Sequence, residues 1–184
     1  MKGIDVSAWQ EEIGWEKVKA AGIEFAILKL GQYRRLDEMF ETHLSNAKIA
    51  GMKIGIYYYA TAKTIEEATA DAEWTAAKIA QYFNGIHPEM GIWYDVEDHS
   101  MEGSALTEIC RTYCETLKTM GYHYAGIYSS YSWLTDLIDT ANLDVPYWVA
   151  QYYHECNFSH PNLKIWQYTN HFSDELPYDG NVTL

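Results

Sequence analysis

One pattern of apolar and polar positions occurs three times along the chain. In WEKVKAAGIEFAILKL (15–30), HLSNAKIAGMKIGIYYYA (43–60) and CETLKTMGYHYAGIYSS (114–130), a helical pattern stops at a glycine. A dense apolar run then begins one or two residues later, as a buried strand would. The glycines Gly22, Gly51 and Gly121 suit the left-handed conformation that closes a helix. Thr64 followed by Glu67 predicts a capping box ahead of an Ala- and Glu-rich helix reaching Phe83. Ser104 is the expected N-cap of a helix through Met120.

Eight strands follow from this pattern, at 3–7, 25–30, 53–60, 91–97, 124–130, 147–152, 164–169 and 181–184. Helices separate the early strands, which predicts parallel pairing. The last gaps, 153–163 and 170–180, barely hold a helix. The expected fold is therefore α/β, an irregular TIM-like (β/α) barrel. Its first half has regular βα units, and short connections join its last strands. The length suits one catalytic domain, expected to span 1–184. An open doubly wound sheet is the alternative, weakened because no glycine-rich phosphate loop follows the first strand.

Catalytic groups of a parallel barrel gather at the C-terminal ends of its strands. The predicted ends carry Asp5, Tyr57, Tyr59, Asp95, Glu97, Tyr128, Gln151 and Gln167, and Asp179 lies just before the last strand. The stretch GIWYDVEDHS (91–100) is the most informative. Strand alternation puts Trp93, Asp95 and Glu97 on one face and Ile92, Tyr94 and Val96 on the other. The α-carbons of Asp95 and Glu97 then lie about 6.6 Å apart, so each charge disfavours ionisation of the other. A protonated carboxyl beside an ionised one is the pair that glycosidic bond cleavage requires. The plainer reading of Asp-x-Glu is a helix cap or a solvated loop. It fits less well at the end of an apolar strand, whereas Asp98, which points to the opposite face, is expected to solvate the loop.

Composition narrows the partners. A formal charge of −13 argues against nucleic acid and against adhesion to an anionic surface. No apolar run reaches the ~18 residues of a membrane span. The opening MKGIDVSAW lacks the apolar stretch of a signal peptide, so any export signal is expected to be missing or already removed. The 16 Tyr, 7 Trp and 5 Phe are enough both to fill a core and to leave flat walls for sugar rings. Cys110 and Cys114, spaced i, i+4, suit a helix better than a disulfide, and nothing completes a metal site around His154 and Cys156. No metal and no cofactor are expected.

KGIDVSAWQ, AGIEFAILKL, AGMKIGIYYYA, GIWYDVED, GIYSSYSWL, YWVAQY and IWQYT, in this order, resemble glycoside hydrolase family 25 lysozymes, the Chalaropsis-type N-acetylmuramidases. The resemblance implies cleavage of the β-1,4 bond from N-acetylmuramic acid to N-acetylglucosamine in cell-wall peptidoglycan. It implies Glu97 as general acid, Asp95 as second catalytic carboxylate, and Asp5 and Asp179 as further site acids. It also implies retention of configuration through the substrate's acetamido group, with direct attack by Asp95 and inversion through water left open. The chain departs from the family where Lys29 is followed by LGQYRR, at Tyr58-Tyr59, and at Thr183. A chitinase-like hydrolase and a non-catalytic glycan-binding barrel are the rival readings. A monomer is expected, acting outside the cell or at the wall as lysin, autolysin or secreted enzyme. With no wall-binding repeat after the barrel, the cleft alone would hold the substrate.

Overall fold

The computed structural model describes residues 1–184. The strands are β1 (Lys2–Val6), β2 (Phe25–Gln32), β3 (Arg35–Leu36), β4 (Lys53–Tyr59), β5 (Ile92–Asp95), β6 (Ala125–Ser130), β7 (Tyr147–Ala150), β8 (Leu163–Thr169) and β9 (Asp179–Thr183). The helices are α1 (Trp15–Ala20), α2 (Phe40–Ile49), α3 (Ile65–Phe83), α4 (Leu106–Thr119) and α5 (Tyr131–Asp136). Eight strands close a barrel in the order β1, β2, β4, β5, β6, β7, β8, β9, and β9 returns to β1. The two-residue β3 folds back on β2 as a hairpin outside this ring.

All eight expected strands form. Helices α1 to α5 lie between the strands of the first six barrel positions, whereas β7–β8 and β8–β9 are joined by loops. Neighbouring strands from β1 to β8 pair in parallel. Strand β9 runs antiparallel to both β8 and β1, a direction that the sequence pattern leaves open. The segment 170–178 is too short for a crossover, so the chain turns and comes straight back.

Gly22, Gly51 and Gly121 have φ of 78°, 68° and 95°, as helix-closing residues should. The Thr64 hydroxyl accepts the Glu67 amide at 3.2 Å and caps α3. Ser104 does not cap α4. The N-cap position is Ala105, without a side-chain cap, and Ser104 contributes only its carbonyl to the Leu106 amide. Strand β5 stops at Asp95, two residues short of the expected end at Glu97, although the Val96 amide still reaches the Tyr128 carbonyl at 2.9 Å.

Strand alternation divides the core into two clusters. Ile92, Tyr94 and Val96 join the larger one, between barrel and helices. Phe25, Ile27, Met90, Trp93, Tyr128, Trp148 and Ile165 fill the barrel itself. Trp93 and Trp148 meet edge to face, 5.9 Å between ring centres, and Tyr128 lies 4.3 Å from Trp148. The indole of Trp93 donates to the Met90 carbonyl at 2.8 Å, so its one polar atom is satisfied. This plug is the floor on which the strand ends stand.

Trp93→Ala should therefore cost roughly 3–5 kcal/mol of unfolding free energy, from lost burial and the cavity left behind. Denaturant unfolding checks this. A loss below about 1 kcal/mol would mean that the plug does not support the barrel.

Candidate active site

At the C-terminal end of the parallel strands, a cavity of about 210 Å³ opens to solvent. Asp5, Asp95, Glu97 and Asp179 line it, together with Tyr57, Tyr59 and Lys29. Asp5 ends the inward face of β1, and Tyr57 and Tyr59 alternate inward on β4. Asp95 stands one step above Trp93. Asp179 arrives at this end only because β9 is antiparallel: it is the first residue of its strand and pairs directly with Asp5. On a parallel β9 it would lie at the opposite end of the barrel.

Asp95 is 4% exposed, no protein donor reaches either of its side-chain oxygens, and Oδ1 is fully enclosed. Burial pushes its carboxyl well above the usual carboxylate range, Glu97 adds to this, and Lys29 opposes it. Glu97, past the strand end, keeps part of its surface in water. Its carboxyl is also raised, first by burial and then by Asp179, with Lys29 again opposing. Repulsion within the Asp95–Glu97 pair is thus secondary to desolvation, contrary to the expectation from spacing alone.

Asp5 is held from below. Its Oδ2 accepts the Gln167 amide at 2.9 Å and the Asn181 amide at 2.6 Å. Gln167 Oε1 in turn accepts the Tyr128 and Tyr152 hydroxyls at 2.9 and 3.0 Å. Asn181 Oδ1 accepts the Trp148 indole N–H at 2.8 Å. An indole can only donate, and this fixes the orientation of the Asn181 amide. Burial and the Asp179 charge raise Asp5, while the two amides pull it back. Asp179 is raised by burial, and its hydrogen bond with Asp5 lowers it, so the pair shares a proton. The phenols of Tyr57, Tyr59 and Tyr128 are all raised, chiefly by burial, and remain neutral donors.

The structure therefore sorts the expected residues into two groups. Asp5, Tyr57, Tyr59, Asp95, Glu97 and Asp179 share the cavity wall. Tyr128 and Gln167 lie beneath it as supports for Asp5. Gln151 turns away, its Oε1 accepting the Asn157 amide at 2.8 Å to fix the β7–β8 loop. Asp98, expected only to solvate the loop, caps a short turn, accepting the Ser100 amide at 2.8 Å. Sequence reasoning missed Lys29, Asn181 and Trp148. Lys29 was detectable, because it follows Phe25 and Ile27 at strand spacing and so faces the barrel interior.

A carboxyl whose pKa is higher in the folded chain than in the unfolded one costs stability as pH rises through that interval. Below the ordinary carboxylate range the cost is absent; above the raised value it is complete. Asp95→Asn removes the ionisable group, so the variant should melt higher than wild type at pH 7. The gain should be about 2–4 °C per kcal/mol relieved, shrinking towards pH 4. Thermal melts across pH check this, and equal pH slopes for the two proteins would contradict it.

Among known proteins, the chain is similar to lysozyme M1 of Streptomyces globisporus, with 28% identity over 164 residues, 83% of this chain and 55% of the relative. It is 26% identical over 187 residues to the autolytic lysozyme of Clostridium acetobutylicum, covering 98% of this chain and 52% of the relative. The chain thus spans about half the length of the curated relatives it matches. Among solved structures, the modular autolysin LytC from Streptococcus pneumoniae, in complex with a synthetic peptidoglycan ligand, superposes with a TM-score of 0.86 at 25% identity. That match covers 100% of this chain and 46% of the autolysin. The model of glycosyl hydrolases family 25 matches residues 4–175, and the chain belongs to that family.

Proposed function

We propose that this protein is a peptidoglycan hydrolase, an N-acetylmuramidase cleaving the β-1,4 bond between N-acetylmuramic acid and N-acetylglucosamine. One observation carries the reading: a buried carboxyl, Asp95, and a solvent-accessible one, Glu97, share a cavity at the barrel mouth and are both raised. Family membership and the lysozymes among the relatives support it.

Glu97 is the general acid. It is the member of the pair that a leaving sugar oxygen can reach from solvent, and burial raises its carboxyl in the direction that favours the protonated form. Once the leaving group departs, the same carboxylate takes a proton from the incoming water. Asp95 works in its ionised form, which Lys29 favours. Its Oδ2, which unlike Oδ1 is not enclosed, has no donor in the protein, and a substrate acetamido N–H is a donor of the right kind. Bonded there, the acetamido oxygen is turned towards the anomeric carbon and attacks it, so configuration is retained. The neutral phenols of Tyr57 and Tyr59 offer hydrogen bonds to sugar hydroxyls without adding charge.

Mass spectrometry of fragments from purified wall should show muramic acid at the new reducing ends. Reducing-end glucosamine would overturn the bond assignment, and turnover of chitin alone would favour a chitinase-like enzyme. Glu97→Gln should lower wall lysis about 10²–10⁴-fold, the scale of a lost general acid. Unchanged lysis would remove Glu97 from the mechanism.

A further inference from the structure

A second cavity, of about 530 Å³, adjoins the first and shares Trp9 and Lys29 with it. Its far wall is the β2–β3 hairpin, which brings Tyr33 and Arg35 to the rim. Register pairs Gln32 with Arg35, leaving Tyr33 and Arg34 as a two-residue turn. Both lie in the left-handed region, with φ of 51° and 54°. Glycine or asparagine is usual there, and each other side chain costs about 1 kcal/mol or more.

The strained turn is clamped from behind. The Arg34 guanidinium pairs with buried Asp71 at 2.8 Å, and its backbone amide donates to the Tyr58 hydroxyl at 2.9 Å. Tyr58 itself donates to Asp71 at 2.8 Å. Gly31 lets the hairpin close, since a β-carbon there would sit 2.0 Å from the Arg35 carbonyl oxygen. Two neighbouring arginines thus have opposite fates. Arg34 is spent on the anchor, while the side chain of Arg35 is exposed and makes no hydrogen bond or ion pair within the protein.

The other side chains of this wall suit a sugar. Trp9 is 90% exposed and Tyr33 60% exposed, both large flat rings kept in water beside the acid cavity. Asp37 is occupied, accepting the Ala8 and Met39 amides at 3.3 and 3.1 Å, and forms no ion pair with Arg35. Stacking surfaces with one unpaired guanidinium fit a saccharide that carries a carboxylate, which arginine binds in a forked geometry.

We propose that this groove extends the glycan cleft, and that Arg35 is a specificity residue selecting sugar units with an acidic acyl-peptide substituent. The proposal rests on the muramidase reading. In that substrate class the lactyl-peptide arm of each muramic unit supplies the carboxylate.

The test uses soluble wall glycan fragments bearing peptide stems, beside the same fragments with their carboxyls converted to amides. Wild type should show a KM about 3–10-fold lower on the acidic fragments, as expected of one partly exposed charge-assisted contact. Arg35→Ala should abolish that preference, Arg35→Lys should keep part of it, and added salt should shrink it in wild type. No preference in wild type, or a preference that survives Arg35→Ala, would overturn the proposal. If wild type cleaves neither substrate, the muramidase reading fails instead. Binding of both fragments to Glu97→Gln protein, with and without Arg35→Ala, then still measures the groove by the same criterion.

Discussion

Desolvation of carboxyl groups is the constraint on which the rest of this molecule depends. Asp5, Asp95, Glu97 and Asp179 line one small cavity, and Lys29 is the one cation on its wall. In water such groups would ionise and repel. Here burial is the largest influence on each of them, and it favours the protonated form. The barrel is built to maintain that situation. The Trp93–Trp148–Tyr128 plug closes it from below, and the Gln167 and Asn181 amides hold Asp5 in a fixed orientation. The stability lost by burying acids is confined to this one cavity.

Trp148 links packing to chemistry. Its ring belongs to the barrel plug, and its indole N–H orients Asn181, which orients Asp5. Asp5 then shares a proton with Asp179, whose charge is the strongest one acting on Glu97. The Glu97 carboxyl is therefore tuned by a chain of contacts that begins in the hydrophobic core. The antiparallel β9 makes this possible, because its first residue lands beside Asp5.

Much of this architecture was legible in the sequence. The repeated helix–glycine–strand pattern located all eight barrel strands, and alternation in GIWYDVEDHS separated Trp93 and Asp95 from Ile92, Tyr94 and Val96. Features set by tertiary neighbours were not legible. The direction of β9 depends on how a short loop turns. The roles of Gln151 and Gln167 look alike in sequence, yet one fixes a loop and the other supports Asp5. Spacing suggested mutual repulsion as the main cause of the raised acids, because sequence shows neighbouring charges and does not show burial. Ser104 looked like a cap, but its side chain is not used.

Burial, more than pairing, raises the carboxyls of the cavity acids. Carbon-13 NMR titration of the side-chain carboxyls, in wild type and in Glu97→Gln, tests it most directly. Asp95 should titrate above the usual carboxylate range in wild type and stay above it, though lower, once the Glu97 charge is gone. A return of Asp95 to the ordinary range in the variant would contradict it and make charge repulsion the governing effect.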